Sequence, residues 1–89
     1  MPPEPVPPPR LIEVDVQSDE SGLLIATSRH LPQLLAVSTS DEDLARDLPQ
    51  LIRAAYEACF GRTVVATAVR TGGAFEGTWR CDRWALLPA

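Results

Sequence analysis

The sequence predicts an α+β domain: an antiparallel sheet of three strands, one proline-kinked helix, then one or two more strands, in the order β-β-β-α-β-(β). Three observations carry that expectation. Residues 11–17, LIEVDVQ, alternate apolar and polar side chains, which is the period of a strand with one wet face. Residues 44–60, LARDLPQLIRAAYEACF, repeat apolar side chains near the 3.6-residue period of a helix. The strand-like stretches before that helix are joined by connections short enough to be antiparallel turns.

The elements follow in chain order. Residues 2–9, PPEPVPPP, hold six of the nine prolines, so they can build neither helix nor sheet. Residues 1–10 are therefore read as an extended, polyproline-like tail, and residues 11–89 as the single domain. A ligand for a proline-binding module is the functional alternative for this tail; a solvated leader is the simpler expectation. In the first strand Ile12, Val14 and Val16 point one way, and Glu13, Asp15 and Gln17 the other. SDESG, 18–22, supplies turn residues, with Gly22 free to take a positive φ. LLIATS, 23–28, completes a hairpin, and LLAV, 34–37, is a short third strand after the break at Pro32.

Ser40 is placed to cap the helix, with Asp43 in a capping-box position and Asp41, Glu42 and Asp43 opposing the positive end of the helix dipole. The apolar stripe runs through Leu44, Leu48, Leu51, Ile52, Ala55 and Cys59, and Gly61 suits the helix end. Pro49 removes the N–H that would bond Ala45 and crowds that carbonyl, a cost of about 3 kcal/mol in a free helix. A kink or a division is expected there, offset by packing of Leu48, Leu51, Ile52 and Ala55. TVVATAVR, 63–70, reads as a strand reached by a crossover, TGG at 71–73 as a turn, and 75–84 as a further strand interrupted by Gly77. ALLPA is expected to pack as an apolar end.

Composition narrows the classes of function. The chain has 89 residues, 45% of them hydrophobic, which is enough for one modest core. No apolar run approaches the length of a membrane span, and no basic start followed by an apolar stretch marks a signal peptide; a soluble, cytoplasmic protein is expected. A net charge of −4 opposes general binding to nucleic acid. Charge is uneven, however. Residues 1–57 hold ten acids against four arginines, whereas 58–89 hold Arg62, Arg70, Arg80 and Arg83 against Glu76 and Asp82.

No catalytic arrangement emerges. His30 stands alone, neither Cys59 nor Cys81 has a basic neighbour in a motif, and the two cysteines lack metal-binding spacing. Both are expected to be reduced, with Cys59 in the core. Asp15, Asp19 and Glu42 are conceivable metal ligands, but strand, turn and cap roles account for them. The glycines match no phosphate loop. The expectation is a protein that is not an enzyme and has no cofactor.

Residues 19–57, DESGLLIATSRHLPQLLAVSTSDEDLARDLPQLIRAAYE, resemble the HicB-like antitoxin family, and within it the short single-domain branch of unknown function. The matching features are Asp19 and Gly22 in the first turn, the strand from Leu24 to Ser28, and the step Pro32-Gln33-Leu34. They continue with the cap and acids of Ser40 to Asp43 and the helix element Leu48-Pro49-Gln50-Leu51-Ile52. Gln33 stands where that family usually has glycine, and Leu24 where an aromatic is common. Residues 71–89 have no counterpart. The resemblance implies a truncated ribonuclease-H-like module without the acidic metal site of nucleases. Family members neutralise a small RNA-cleaving toxin by covering it, and often add a DNA-binding segment. No helical pattern follows residue 70, so operator binding is not expected here.

The reading is then a non-catalytic protein-binding module, antitoxin-like, that inhibits a partner by covering its nucleic-acid-binding or catalytic surface. A small toxin ribonuclease is one target; a nucleic-acid-guided defence (CRISPR) complex, met by a phage-style inhibitor, is the other. A plain homo-oligomerising domain is the third possibility, and a homodimer is expected through an exposed strand edge. Candidate partner contacts are Arg29, His30 and Gln33 around the second connection, and Trp79, Arg80 and Trp84 near the C-terminus. Trp79 and Trp84 are five apart, so they face opposite sides of a strand. The more exposed one either anchors a partner or helps to cap the core.

Overall fold

The computed structural model describes residues 10–70 and 73–89. The chain forms β1 (Leu11–Ser18), β2 (Leu24–Thr27), β3 (Leu35–Ser38), α1 (Asp41–Phe60), β4 (Val64–Arg70) and β5 (Trp79–Pro88). All neighbouring strands pair antiparallel in one five-stranded sheet of order β3-β2-β1-β5-β4. The expected α+β architecture is therefore present, with both C-terminal strands in the sheet. Because β3 and β4 are opposite edges, α1 crosses one whole face of the sheet, packing on both. β5 then returns between β4 and β1. The tails of residues 1–9 and the TG pair at 71–72 lie outside the described residues.

The first four strands lie within one residue of the expected bounds at each end, whereas both ends of the last strand differ by four. The last strand begins at Trp79 rather than near residue 75 and continues through the apolar end to Pro88. Gly77 does not interrupt it. With φ of +66° it serves the turn that precedes the strand, where Glu76 and Trp79 form an isolated bridge. The step at Pro32 and Gln33 also resolves simply. Leu34 N donates to Leu31 O at 2.9 Å, and among the described residues no residue other than glycine has a positive φ, so the turn needs no glycine at Gln33.

The core lies between α1 and one sheet face. Ile12, Val14 and Val16 of β1 are fully buried, and Trp84 and Leu86 of β5 continue the layer. Leu31 and Leu34 flank the turn and drop into the same core. On α1 the buried stripe is Leu44, Leu48, Ile52, Ala55 and Tyr56. Leu51 and Cys59 are exposed, against expectation. The Tyr56 ring, 4.8 Å from that of Phe60, fills the end of the stripe instead, and the larger aromatic surface is worth more buried than a thiol.

The helix ends follow the sequence closely. Ser40 Oγ accepts from Asp43 N at 3.1 Å, and Gly61 closes the other end with φ of +66°. The reciprocal half of a capping box is replaced: Ser40 N donates to Ser38 Oγ, while the Asp43 carboxylate pairs with Arg46 at 2.9 Å. Pro49 does not divide α1, which runs unbroken for 20 residues. Ala45, whose carbonyl loses its donor, is exposed, so water can take the missing place.

Candidate protein-binding surface

Alternation along each strand gives the sheet a second face that α1 does not cover. Leu11, Leu35, Val37, Val65, Trp79 and Leu87 are exposed large apolar side chains, all on strands at positions alternate to the buried ones. Glu13 and Asp15 of β1 sit on this face opposite Arg83 and Cys81 of β5. These apolar side chains are therefore interspersed with charged ones on the open face.

The six residues expected to contact a partner separate into three environments. Arg29 and Gln33 are exposed in the β2–β3 connection, and Gln33 lines a shallow hollow with Leu34, Leu35 and Leu51. His30 is occupied structurally. Its Nδ1 accepts from Glu13 N at 3.4 Å, which places the ring proton on Nε2. Ser28 Oγ donates to Glu13 O at 2.7 Å, so the pair finishes the hydrogen bonding of β1 where β2 has ended. Trp84 is a core residue, only 2% exposed, and cannot be a surface anchor. Its position on β5, two residues on from Asp82, puts it on the helix side.

Arg80 is also internal, at 6% exposure, and the reason is electrostatic. Its Nε donates to Asp82 Oδ1 at 3.1 Å, its Nη2 donates to Asp41 at the start of α1, and its guanidinium lies 4.9 Å over the Phe75 ring. The Asp41 hydrogen bond, more than any other contact, raises the Arg80 pKa above its ordinary value, against the opposing effect of burial. Asp41 thus has two roles: it faces the helix dipole, as expected, and it ties α1 to β5, which the spacing of 39 residues concealed.

Trp79 is the exposed member of the tryptophan pair, at 39%. It is held rather than free, because its Nε1 donates to Asp15 Oδ1 at 3.1 Å. A fixed indole on an open face loses little entropy on contact with a partner. Around it the structure adds residues that the sequence reading had left aside. Arg70, Arg83, Cys81 and Glu76 line one cleft with Trp79, of about 270 Å³. Burial and then the negative charge of Glu13 and Asp15 push the Cys81 pKa up, so it is a thiol and a poor nucleophile. Only contact order in space reveals this grouping, since Arg70 and Arg83 are on different strands.

Elsewhere the carboxylates have local duties. Asp19 Oδ1 accepts from Ser21 N, Ser21 Oγ and Leu23 N, at 2.9, 2.7 and 2.9 Å, organising the β1–β2 turn. Among the described residues no three His, Cys, Asp or Glu side chains converge as metal ligands would. No helix among them is long and apolar enough to cross a membrane. The chain matches no protein-family model, no curated protein and no solved structure.

Proposed function

We propose that this chain is a small non-catalytic protein-binding module, antitoxin-like, that inhibits its partner by covering a nucleic-acid-binding or catalytic surface. The open sheet face, with Trp79 pinned on it by Asp15, is the observation that carries the reading. Tryptophan is over-represented among residues that dominate binding energy, and this one has a prepared geometry. Support also comes from the order of elements: a three-stranded meander, a capped helix with the Leu48-Pro49-Gln50-Leu51 element, and an acidic first turn. That order fits the resemblance to HicB-like proteins and a truncated ribonuclease-H-like module. The net charge of −4 offers a basic RNA-binding partner complementary charge and faster encounter. We place such an inhibitor in the cytoplasm.

The test is a pull-down from the native host with the full chain and with Trp79→Ala. The reading expects a defined protein that the parent retains and the variant loses at least tenfold. A small ribonuclease identifies the antitoxin arm, and a CRISPR effector identifies the defence-inhibitor arm. Equal capture by both forms, or metal-dependent nuclease activity of the isolated chain, contradicts the reading.

One observation favours a second reading, the homodimer. β4 is an edge strand of seven residues with no proline and only one charge, Arg70 at its end. Before the irregularity between Ala68 and Arg70, the edge from Val64 to Ala68 carries no charge and can pair with its twofold mate. Light scattering decides this: a mass of twice 9.7 kDa supports self-pairing, and a monomer removes it.

A further inference from the structure

The cleft beside Trp79 has a feature that the fold alone does not require. Along β4–β5 the register runs Val65↔Leu87, Ala66↔Leu86, Thr67↔Ala85 and Ala68↔Trp84, then shifts. A regular ladder would set Val69 against Arg83. The irregularity between Ala68 and Arg70 skips Val69 and sets Arg70 against Arg83 instead. Like charges directly opposite one another across strands destabilise a sheet. Bulges of this kind re-aim side chains and concentrate beside functional sites.

Among the described residues neither arginine forms an ion pair. The ion pairs among the described residues belong to Arg46 and Arg80, not to Arg70 or Arg83. Glu13 is the cross-strand neighbour of Arg83 on β1, and Glu76 lines the cleft, yet neither forms an ion pair with them. Arg80, which also borders the cleft, is already neutralised by Asp41 and Asp82. Two guanidinium groups without an ion pair among the described residues therefore share a small hollow with one exposed, immobilised indole.

We propose that Arg70, Arg83 and Trp79 form a docking cleft for a single carboxylate side chain that a protein partner presents next to an apolar residue. Paired guanidinium groups match the two oxygens of a carboxylate, and the indole face takes the neighbouring apolar group. The volume, about 270 Å³, suits one or two side chains and is below the range of most cofactor sites. A polyanion such as RNA fits less well. Its repeated phosphates would meet Glu13, Asp15 and Glu76 around the cleft and a chain of net charge −4. A lone carboxylate in an apolar segment needs only the space at the two arginines and brings one charge, not a series of them, near those acids.

The inference rests on the protein-binding reading of this face and adds the chemistry that the partner must show. The test uses the full chain and a blocked pentapeptide with one glutamate flanked by leucines, followed through the Trp79 indole and arginine Nε signals by NMR. Saturable shifts are expected, with at least fivefold weaker binding of the glutamine counterpart and loss of binding in R70A/R83A. Free of peptide, the single variants Arg70→Ala and Arg83→Ala should melt at a higher temperature than the parent, because each removes the opposed charge. Equal binding of the glutamate and glutamine peptides overturns the proposal, as does a double variant that folds and still binds. Tighter binding of inorganic phosphate or of a short single-stranded RNA than of the peptide overturns the carboxylate assignment. Loss of peptide selectivity while Trp79-dependent partner capture persists sinks the cleft and leaves the wider reading standing.

Discussion

Two tryptophans five residues apart have opposite fates, and each makes a prediction at its own position. Parity along a strand separates Trp79 from Trp84 in the sequence, but it cannot say which side a helix will cover. Trp84→Ala should cost about 3–5 kcal/mol of stability, since a fully buried aromatic leaves a cavity in a small core. Trp79→Ala should cost no more than about 1 kcal/mol, because its side chain is already partly in water. Urea unfolding of both variants measures the contrast. The Asp19 carboxylate offers a pH test. Hydrogen bonds from the Ser21 hydroxyl and the Leu23 and Ser21 amides lower its pKa from the ordinary 3.8. The folded-state pKa is then below the unfolded one, so the stabilisation is complete above about 3.8 and is lost as pH falls through the folded value. Asp19→Asn should melt at a lower temperature than the parent at neutral pH, and the difference should narrow on acidification below that point. Melting curves between neutral and strongly acidic pH read this directly.

Elements were legible where local chemistry decides them. Ser40 as cap, Gly61 as terminator, the alternation of β1 and the turn at Asp19 and Gly22 all depend on neighbours within a few residues. Pro49 is the local signal that tertiary packing overrides. It sits inside an unbroken helix whose buried stripe, from Leu44 to Tyr56, holds both halves on the sheet. Pro49→Ala restores the donor to Ala45 and should stabilise the protein by about 2 kcal/mol, since the helix penalty removed exceeds the entropy returned to the unfolded chain. Chemical denaturation checks it; a loss of stability would mean that the proline geometry is itself required for packing. The composition of residues 75–78 sets the start of β5 too early, because the aromatic residues on either side of Gly77 conceal a turn to which its positive φ belongs.

At the scale of the whole molecule, non-local pairing is what the sequence conceals. Nothing near Trp79 or Leu86 announces that β5 will lie between β1 and β4, and that placement buries Arg80 against Asp41 and brings Arg83 beside Arg70. The uneven distribution of arginine toward the C-terminus was visible, but the division of those arginines into one internal and three external ones was not. One helix on a five-stranded sheet leaves one face covered and one open, and the account rests on the open face meeting the partner. Hydroxyl-radical footprinting of the full chain, alone and with the protein recovered from the host, measures this most directly. Oxidation of Trp79 and Leu87 should fall several-fold in the complex while Arg46 and Arg53 on the exposed side of α1 are unchanged. Protection of Arg46 and Arg53 with Trp79 still fully reactive would contradict the account.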